Sequence, residues 1–285
     1  MEWGNAKKFV IILLVLLNLA LGVLNFRQRQ ENTMTAAQER AIFEVLSQNS
    51  ITLYTELPTV SRPMPRLLAE VPSYSKETLE RLFFDSKKTT VTVSTDKSVY
   101  RGDGSTLTLQ GAHGRLERAG VKLGKDSLTR SAAQRMAEKF ISQTEFFFGT
   151  YDEPVVLECD DGFEVNFYGT YKRESVFSNY FSLFVTENGV RWVDFSYCPV
   201  QGYAGEKRDI CHADEALLAF MREWRRSGNA EATISRIELG YDRMENTNAS
   251  VDGTVSLEPC YRIYLMEQAD PCLINAYTCQ IVQKD

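Results

Sequence analysis

Six cysteines, two histidines and two Ser-x-x-Lys spacings are the residues here with the plainest capacity for chemistry. Cys159, Cys198, Cys211, Cys260, Cys272 and Cys279 contain no Cys-x-x-Cys spacing, so the zinc-knuckle and thioredoxin-like readings fail. No metal and no cofactor is expected. An even count suits disulfides, but spacing does not choose among the pairings. Cys198 with Cys211 would close the loop before a helix, and Cys260 with Cys279 would brace the last strands. Buried free thiols are the competing reading.

Ser73–Lys76 and Ser94–Lys97 match the spacing by which acyl-serine enzymes bring an amine to a hydroxyl over one helical turn. The first follows a proline-rich loop and the second ends a strand, and neither has a Ser-Asp-Asn or Lys-Thr-Gly companion. His113 sits in a glycine-rich turn, and His212 reads as a helix-entry residue beside Cys211. Asp160-Asp161 is turn chemistry, and Asn248-Ala249-Ser250 fits a glycosylation acceptor. There is no nucleophile elbow, phosphate loop or Rossmann fingerprint. No reaction centre is expected, and catalytic residues are none. The 13 Tyr and 16 Phe are foremost core residues, with some left for a binding face.

These residues must be carried by elements legible in the hydrophobic pattern. Thr35 and Gln38 make a capping box for a helix reaching about Asn49, followed by a strand at 51–57. Pro58, Pro63, Pro65 and Pro72 predict an irregular loop over 58–75, with short strands at 81–84, 89–94 and 105–109. A second helix begins near Ser127 with Leu128, Ala133, Met136 and Phe140 inward. Strands follow near 155–158, 163–171, 180–186 and 191–197, with hairpin turns at Asp161-Gly162 and Asn188-Gly189. A third helix covers 213–226, and strands return at 232–241, 255–266 and 272–277. A helix followed by an antiparallel meander, twice over, reads as α+β.

The 285 residues are 44% hydrophobic and 25% charged, with net charge −6, which argues against nucleic acid as a partner. Residues 9–26 contain no charge, whereas Glu2, Lys7 and Lys8 give residues 1–26 a net +1 and leave −7 on the remainder. A helix over residues 9–26 would rise about 27 Å, which predicts a single transmembrane helix. A cleavable signal peptide is the alternative, since Ala20 and Gly22 fit a small-x-small rule. Lys7 and Lys8 before the run and Arg27 and Arg29 after it leave orientation open. Asn18, Gly22 and Asn25 share one helical face and are the candidate contacts to a partner helix. The expected organisation is a tail (1–8), an anchor (9–26) and α+β domains at 27–124 and 125–285.

The opening MEWGNAKKFVIILLVLLNLALG resembles the start of the YycI family of bacterial membrane-anchored regulators. ISRIELGY at Ile234–Tyr241, LEPCYRIYL at Leu257–Leu265 and INAYTCQI at Ile274–Ile281 resemble the closing strands of YycI and its relative YycH. The resemblance covers roughly residues 1–58 and 230–281, and departs from the family at Thr278-Cys279, where Thr-Gly is common, and in its six cysteines. It implies a cytoplasmic N-terminus, an extracytoplasmic body in the cell membrane, and contact with a WalK-like sensor histidine kinase and a YycH-like sister regulator. The expected function is thus non-enzymatic, accessory regulation of a two-component kinase controlling cell-wall homeostasis. An exported PepSY-like binding or protease-inhibitor module is the alternative, and an acyl-serine enzyme using Ser73 and Lys76 a third.

Overall fold

Two-residue periodicity through residues 155–196 yields a run of antiparallel hairpins in the computed structural model. The structure describes residues 2–31, 33–59, 61–84, 89–148, 150–244, 253–266, 268 and 271–282; the side chains of 2–6, 9, 24–31 and 144–148 lie outside that description. In chain order the first elements are α1 (Glu2–Glu31), α2 (Ala36–Gln48), β1 (Ile51–Leu53), β2 (Met64–Glu70) and α3 (Lys76–Phe83). Next come β3 (Thr90–Val93), β4 (Ser98–Gly102), β5 (Ser105–Gln110), β6 (His113–Arg118) and α4 (Arg130–Phe148). Then follow β7 (Val155–Cys159), β8 (Gly162–Tyr171), β9 (Glu174–Thr186), β10 (Gly189–Ser196), β11 (Val200–Arg208) and α5 (Ala213–Arg226). The last are β12 (Ala232–Arg243), β13 (Thr254–Leu265), β14 (Cys272–Asn275) and β15 (Gln280–Val282).

The chain forms two compact units. One holds Met1–Met64, Arg208–Glu238 and Tyr261–Gln283, and the other holds Pro65–Lys207 and Leu239–Cys260. The expected boundary at residue 124 lies inside the second, where Gly124 donates its backbone N–H to Asp161 O at 3.1 Å.

In the second unit β7 to β10 form an antiparallel meander, and β10 hands on to β6, β5, β4 and β3. Phe163, Val165, Phe167, Phe181, Leu183, Val185, Val193 and Phe195 all point to one face and are buried there. Helix α4 covers that face with Ala133, Ala137, Phe140 and Ile141, a spacing that keeps one stripe inward. Phe195 stacks on Phe181 at 5.0 Å and on Phe83 of α3 at 5.4 Å. Gly114, paired with Phe195, has no room for a side chain, since a Cβ there would collide with the Phe195 ring.

In the first unit β1 runs parallel to the start of β12, pairing Ile51 with Ala232 and Leu53 with Ile234. Helix α2 packs on β1 and α5, and α5 packs on β14 and β15. Thr35 caps α2 reciprocally with Gln38, as the sequence predicts. Helix α5 occupies the predicted residues, with Asp214 and Glu215 in its first turn and Arg225 and Arg226 in its last, a polarity that complements the helix dipole.

The expected architecture, a single transmembrane helix followed by two α+β helix-plus-meander domains, is corrected by the structure. Among the described residues there are fifteen strands and five helices, so sheet dominates, and β12 pairs in parallel with both β1 and β9. Among the described residues no helix is long and apolar enough to cross a membrane. This overturns the single-pass cell-membrane placement, with residues 1–8 cytoplasmic and 9–26 spanning.

Local readings change too. The stretch 81–84 closes helix α3 instead of forming a strand, because Leu79, Leu82 and Phe83 bury one helical stripe behind the N-cap Ser75. The expected loop over 58–75 contains β2, whose Leu67 and Ala69 are fully buried. The two-residue hairpin loops are Asp160-Asp161 and Glu187-Asn188, each one residue earlier than the Gly-containing turns predicted.

Candidate functional site

The face of the meander opposite α4 carries a regular array of polar and aromatic side chains. Strand register sets its rows. Glu164 lies opposite Phe184, Phe184 opposite Trp192, and Trp192 opposite Glu117. The next row runs Asn166, Ser182, Asp194 and Arg115, and a third runs Tyr168, Tyr180, Ser196 and His113. Each residue sits one position from a buried neighbour, so the core on one side fixes the array on the other.

Asp194 is the hub. Its Oδ2 accepts from Arg115 Nη1 at 3.2 Å and its Oδ1 from the Tyr180 hydroxyl at 3.2 Å. His113 Nδ1 lies 3.4 Å from both Asp194 Oδ1 and the Tyr180 hydroxyl. Arg115 Nε donates to Glu117 Oε1 at 3.0 Å, and its guanidinium lies 5.1 Å from the Trp192 ring centroid. Hydrogen bonding to the Glu117 carboxylate, with the charge of Asp194, holds the guanidinium above its usual range, so it stays a cation. Trp192 stacks on Phe184 at 5.7 Å and 11°. Glu164 Oε1 accepts from Asn166 Nδ2 at 3.0 Å and the Ser182 hydroxyl at 3.2 Å.

The array is a half-exposed surface of preorganised charges and flat rings, the composition that anchors protein interfaces. Alternation in Trp192-Val193-Asp194-Phe195 and in His113-Gly114-Arg115-Leu116 was its sequence signal, but only register brings β6 beside β10.

The residues singled out from sequence fall elsewhere. Asn18 Nδ2 donates to Leu14 O of its own helix at 2.9 Å. Nothing lies within 4 Å of a Cβ built on Gly22. The Asn25 side chain and Asn248-Ala249-Ser250 lie outside the described residues. Ser73 precedes the N-cap Ser75 of α3 and so shares no helical turn with Lys76, which pairs with Glu80 at 3.6 Å. Ser94 and Lys97 close the β3–β4 turn through a 2.8 Å backbone hydrogen bond. His113 begins β6 rather than lying in a turn, and His212 is the N-cap of α5, its N–H donating to Glu215 Oε2 at 2.9 Å. Among the described residues no group of three or more His, Cys, Asp and Glu could hold a metal ion.

All six cysteines are free thiols, so neither Cys198 with Cys211 nor Cys260 with Cys279 is bridged. Cys198 and Cys260 belong to the second unit, Cys211 and Cys279 to the first. Cys198 N–H donates to Asn179 Oδ1 at 2.8 Å, and its carbonyl accepts from Asn179 Nδ2 at 2.9 Å. Cys211 and Cys279 instead meet each other, and their side chains share a hydrogen bond. Among the described residues no disulfide is formed.

No protein-family model matches the chain, and no curated protein matches it. A solved structure of an uncharacterized protein from Eubacterium rectale aligns with TM-score 0.57 and 11% identity, covering 83% of this chain and 92% of that one. At that identity the likeness is one of fold. A second neighbour, the C-terminal domain of YpeB from Bacillus megaterium, aligns with TM-score 0.40 and 11% identity over 75% of this chain and 97% of that domain.

Proposed function

We propose that this chain is a non-enzymatic protein-binding module whose Asp194-centred sheet face docks a partner protein. The observation that carries the reading is the array itself: Arg115, Trp192, Tyr180 and Phe184 are fixed by register and mutual contact on the face opposite α4. Side chains already ordered before association lose less freedom on binding. Tyr, Trp and Arg are also the residues that most often dominate binding energy.

The resemblance of residues 230–281 to YycI-type regulators supplies the class of partner, a WalK-like sensor histidine kinase acting with a YycH-like sister regulator. Regulation would follow from binding one kinase state more tightly than another, since equal affinity shifts nothing. The test is binding of the purified kinase to the immobilised full chain, with and without the YycH-like protein. Arg115→Ala combined with Trp192→Ala is expected to weaken binding on the order of tenfold or more with unchanged circular dichroism. Undiminished affinity would overturn the assignment of this face.

A PepSY-like peptide-binding or protease-inhibitor module is the second reading, favoured by a single helix, α4, laid across an antiparallel meander. It expects the same variants to lose affinity for an extended peptide, or inhibition of a protease, with no kinase present.

A further inference from the structure

We propose that Cys211 and Cys279 form a thiol–disulfide exchange site in the first unit, with Cys279 the attacking thiol and Cys211 the resolving one. Its co-reactant is a disulfide, either a small one such as glutathione disulfide or that of an oxidoreductase.

Backbone geometry holds the two residues together. Cys211 N–H donates to Ala276 O at 2.8 Å, and Tyr261 OH donates to Cys211 O at 2.9 Å. This ties the segment entering α5 to the turn between β14 and β15. The turn is braced in its own right: Asn275 Oδ1 accepts from Tyr277 N–H at 2.9 Å and Thr278 N–H at 3.2 Å, and Cys279 N–H donates to Asn275 O at 2.8 Å. Cys279 has φ +54, in the left-handed region that favours glycine, so the turn places a thiol where a side chain is conformationally expensive. Both cysteines are partly exposed in a surface hollow of about 500 Å³, lined also by Glu215, Leu218, Met221 and Arg222.

The two sulfurs are chemically unequal. A hydrogen bond from Cys211 lowers the pKa of Cys279, aided by Arg222 and opposed by burial, Glu215 and Asp214. Cys211 is raised, first by that same hydrogen bond and then by burial. Burial raises Cys159 and Cys198 and pushes Cys272 up to about 11. Of these five cysteines, Cys279 is therefore the one favoured as thiolate.

In the first step the Cys279 thiolate attacks one sulfur of RSSR. The Cys279–SR bond forms, the S–S bond breaks, and RS⁻ leaves and takes a proton from water. Capping Cys279 removes the thiolate to which Cys211 was donating, and with it the main reason Cys211 keeps its proton. Cys211 gives its proton to water, and its thiolate attacks the Cys279 sulfur and expels the second RS⁻, which takes a proton from water in turn. Two protein thiols are oxidised to one disulfide while RSSR is reduced to two RSH. The product would fasten the β14–β15 turn to the entrance of α5.

The test treats the reduced full chain with glutathione disulfide and maps the products without reduction. The expected product joins the tryptic peptide 209–222 to 263–284, and fragmentation must assign the link to Cys279, because Cys272 shares that second peptide. Cys211→Ser is expected to accumulate glutathione on Cys279, and Cys279→Ser to form neither adduct nor link. Limited alkylation of the unsubstituted protein checks the order independently of any variant, with Cys279 reacting on the order of tenfold faster than Cys272. A link to Cys272, equal labelling of both cysteines, or no Cys211–Cys279 link would overturn the proposal.

Discussion

Arg115 and Asp194 sit directly opposite each other on β6 and β10, and the guanidinium donates to the carboxylate at 3.2 Å. Residues far apart in sequence thereby become one charged contact, with Tyr180 and His113 gathered on the same carboxylate. Asp194→Asn is expected to weaken partner binding while changing stability by less than about 1 kcal/mol, because the 43% exposed Arg115 side chain is screened by solvent. Chemical denaturation beside a binding titration separates the two effects. A large stability loss with intact binding would make the pair merely structural.

Phe195 should be the reverse case. It is fully buried between Phe83 and Phe181, so Phe195→Ala removes a stacked ring from the sheet–helix core and is expected to cost about 3–5 kcal/mol. Gly114→Ala should also destabilise, because its Cβ would enter the space of that ring. Urea unfolding of both variants checks this, and Gly114→Ala combined with Phe195→Leu should recover part of the glycine loss.

Glu80 gives a pH dependence with a definite sign. A hydrogen bond from Thr89, together with Lys76, holds its carboxyl below the usual range against the opposing effect of burial. A depressed carboxylate stabilises the fold above its unfolded pKa, and that contribution disappears as pH falls through the folded value. Thr89→Ala should therefore lower Tm near pH 7 and lower it less in acid. Melting curves at about pH 7 and about pH 3 make the comparison, and an equal difference at both would exclude the linkage.

Oxidation at Cys211 and Cys279 closes a long loop of the unfolded chain. Chain-entropy arguments give about 4 kcal/mol of added stability for such a loop, less any strain in the bridge. The Tm of the glutathione-oxidised protein should rise, and reductant should reverse the rise. Cys279→Ser should abolish the difference between the two conditions.

Helix α5 was legible in the sequence because its signals agree: Leu217 and Phe220 inward, acids first, arginines last. The strands β7 to β10 were legible from strict alternation. Helix α3 was not, since eight residues offer barely two turns of periodicity and Leu82-Phe83-Phe84 mimics an apolar strand. Strand β2 was hidden by Pro63 and Pro65, and β11 by the absence of any fully buried residue.

What the sequence determined by itself was local: which stretches alternate, where helices are capped, and which chemistries lack their motifs. Those properties depend on neighbours within a turn or a pleat. Partnership was decided only by tertiary structure. The parallel pairing of β1 with β12, the seating of Arg115 against Asp194 and the meeting of Cys211 with Cys279 rather than Cys260 all join residues distant along the chain. Such contacts follow from strand register and helix packing, which are set by how whole apolar faces bury one another. No spacing of residue types along the chain records them.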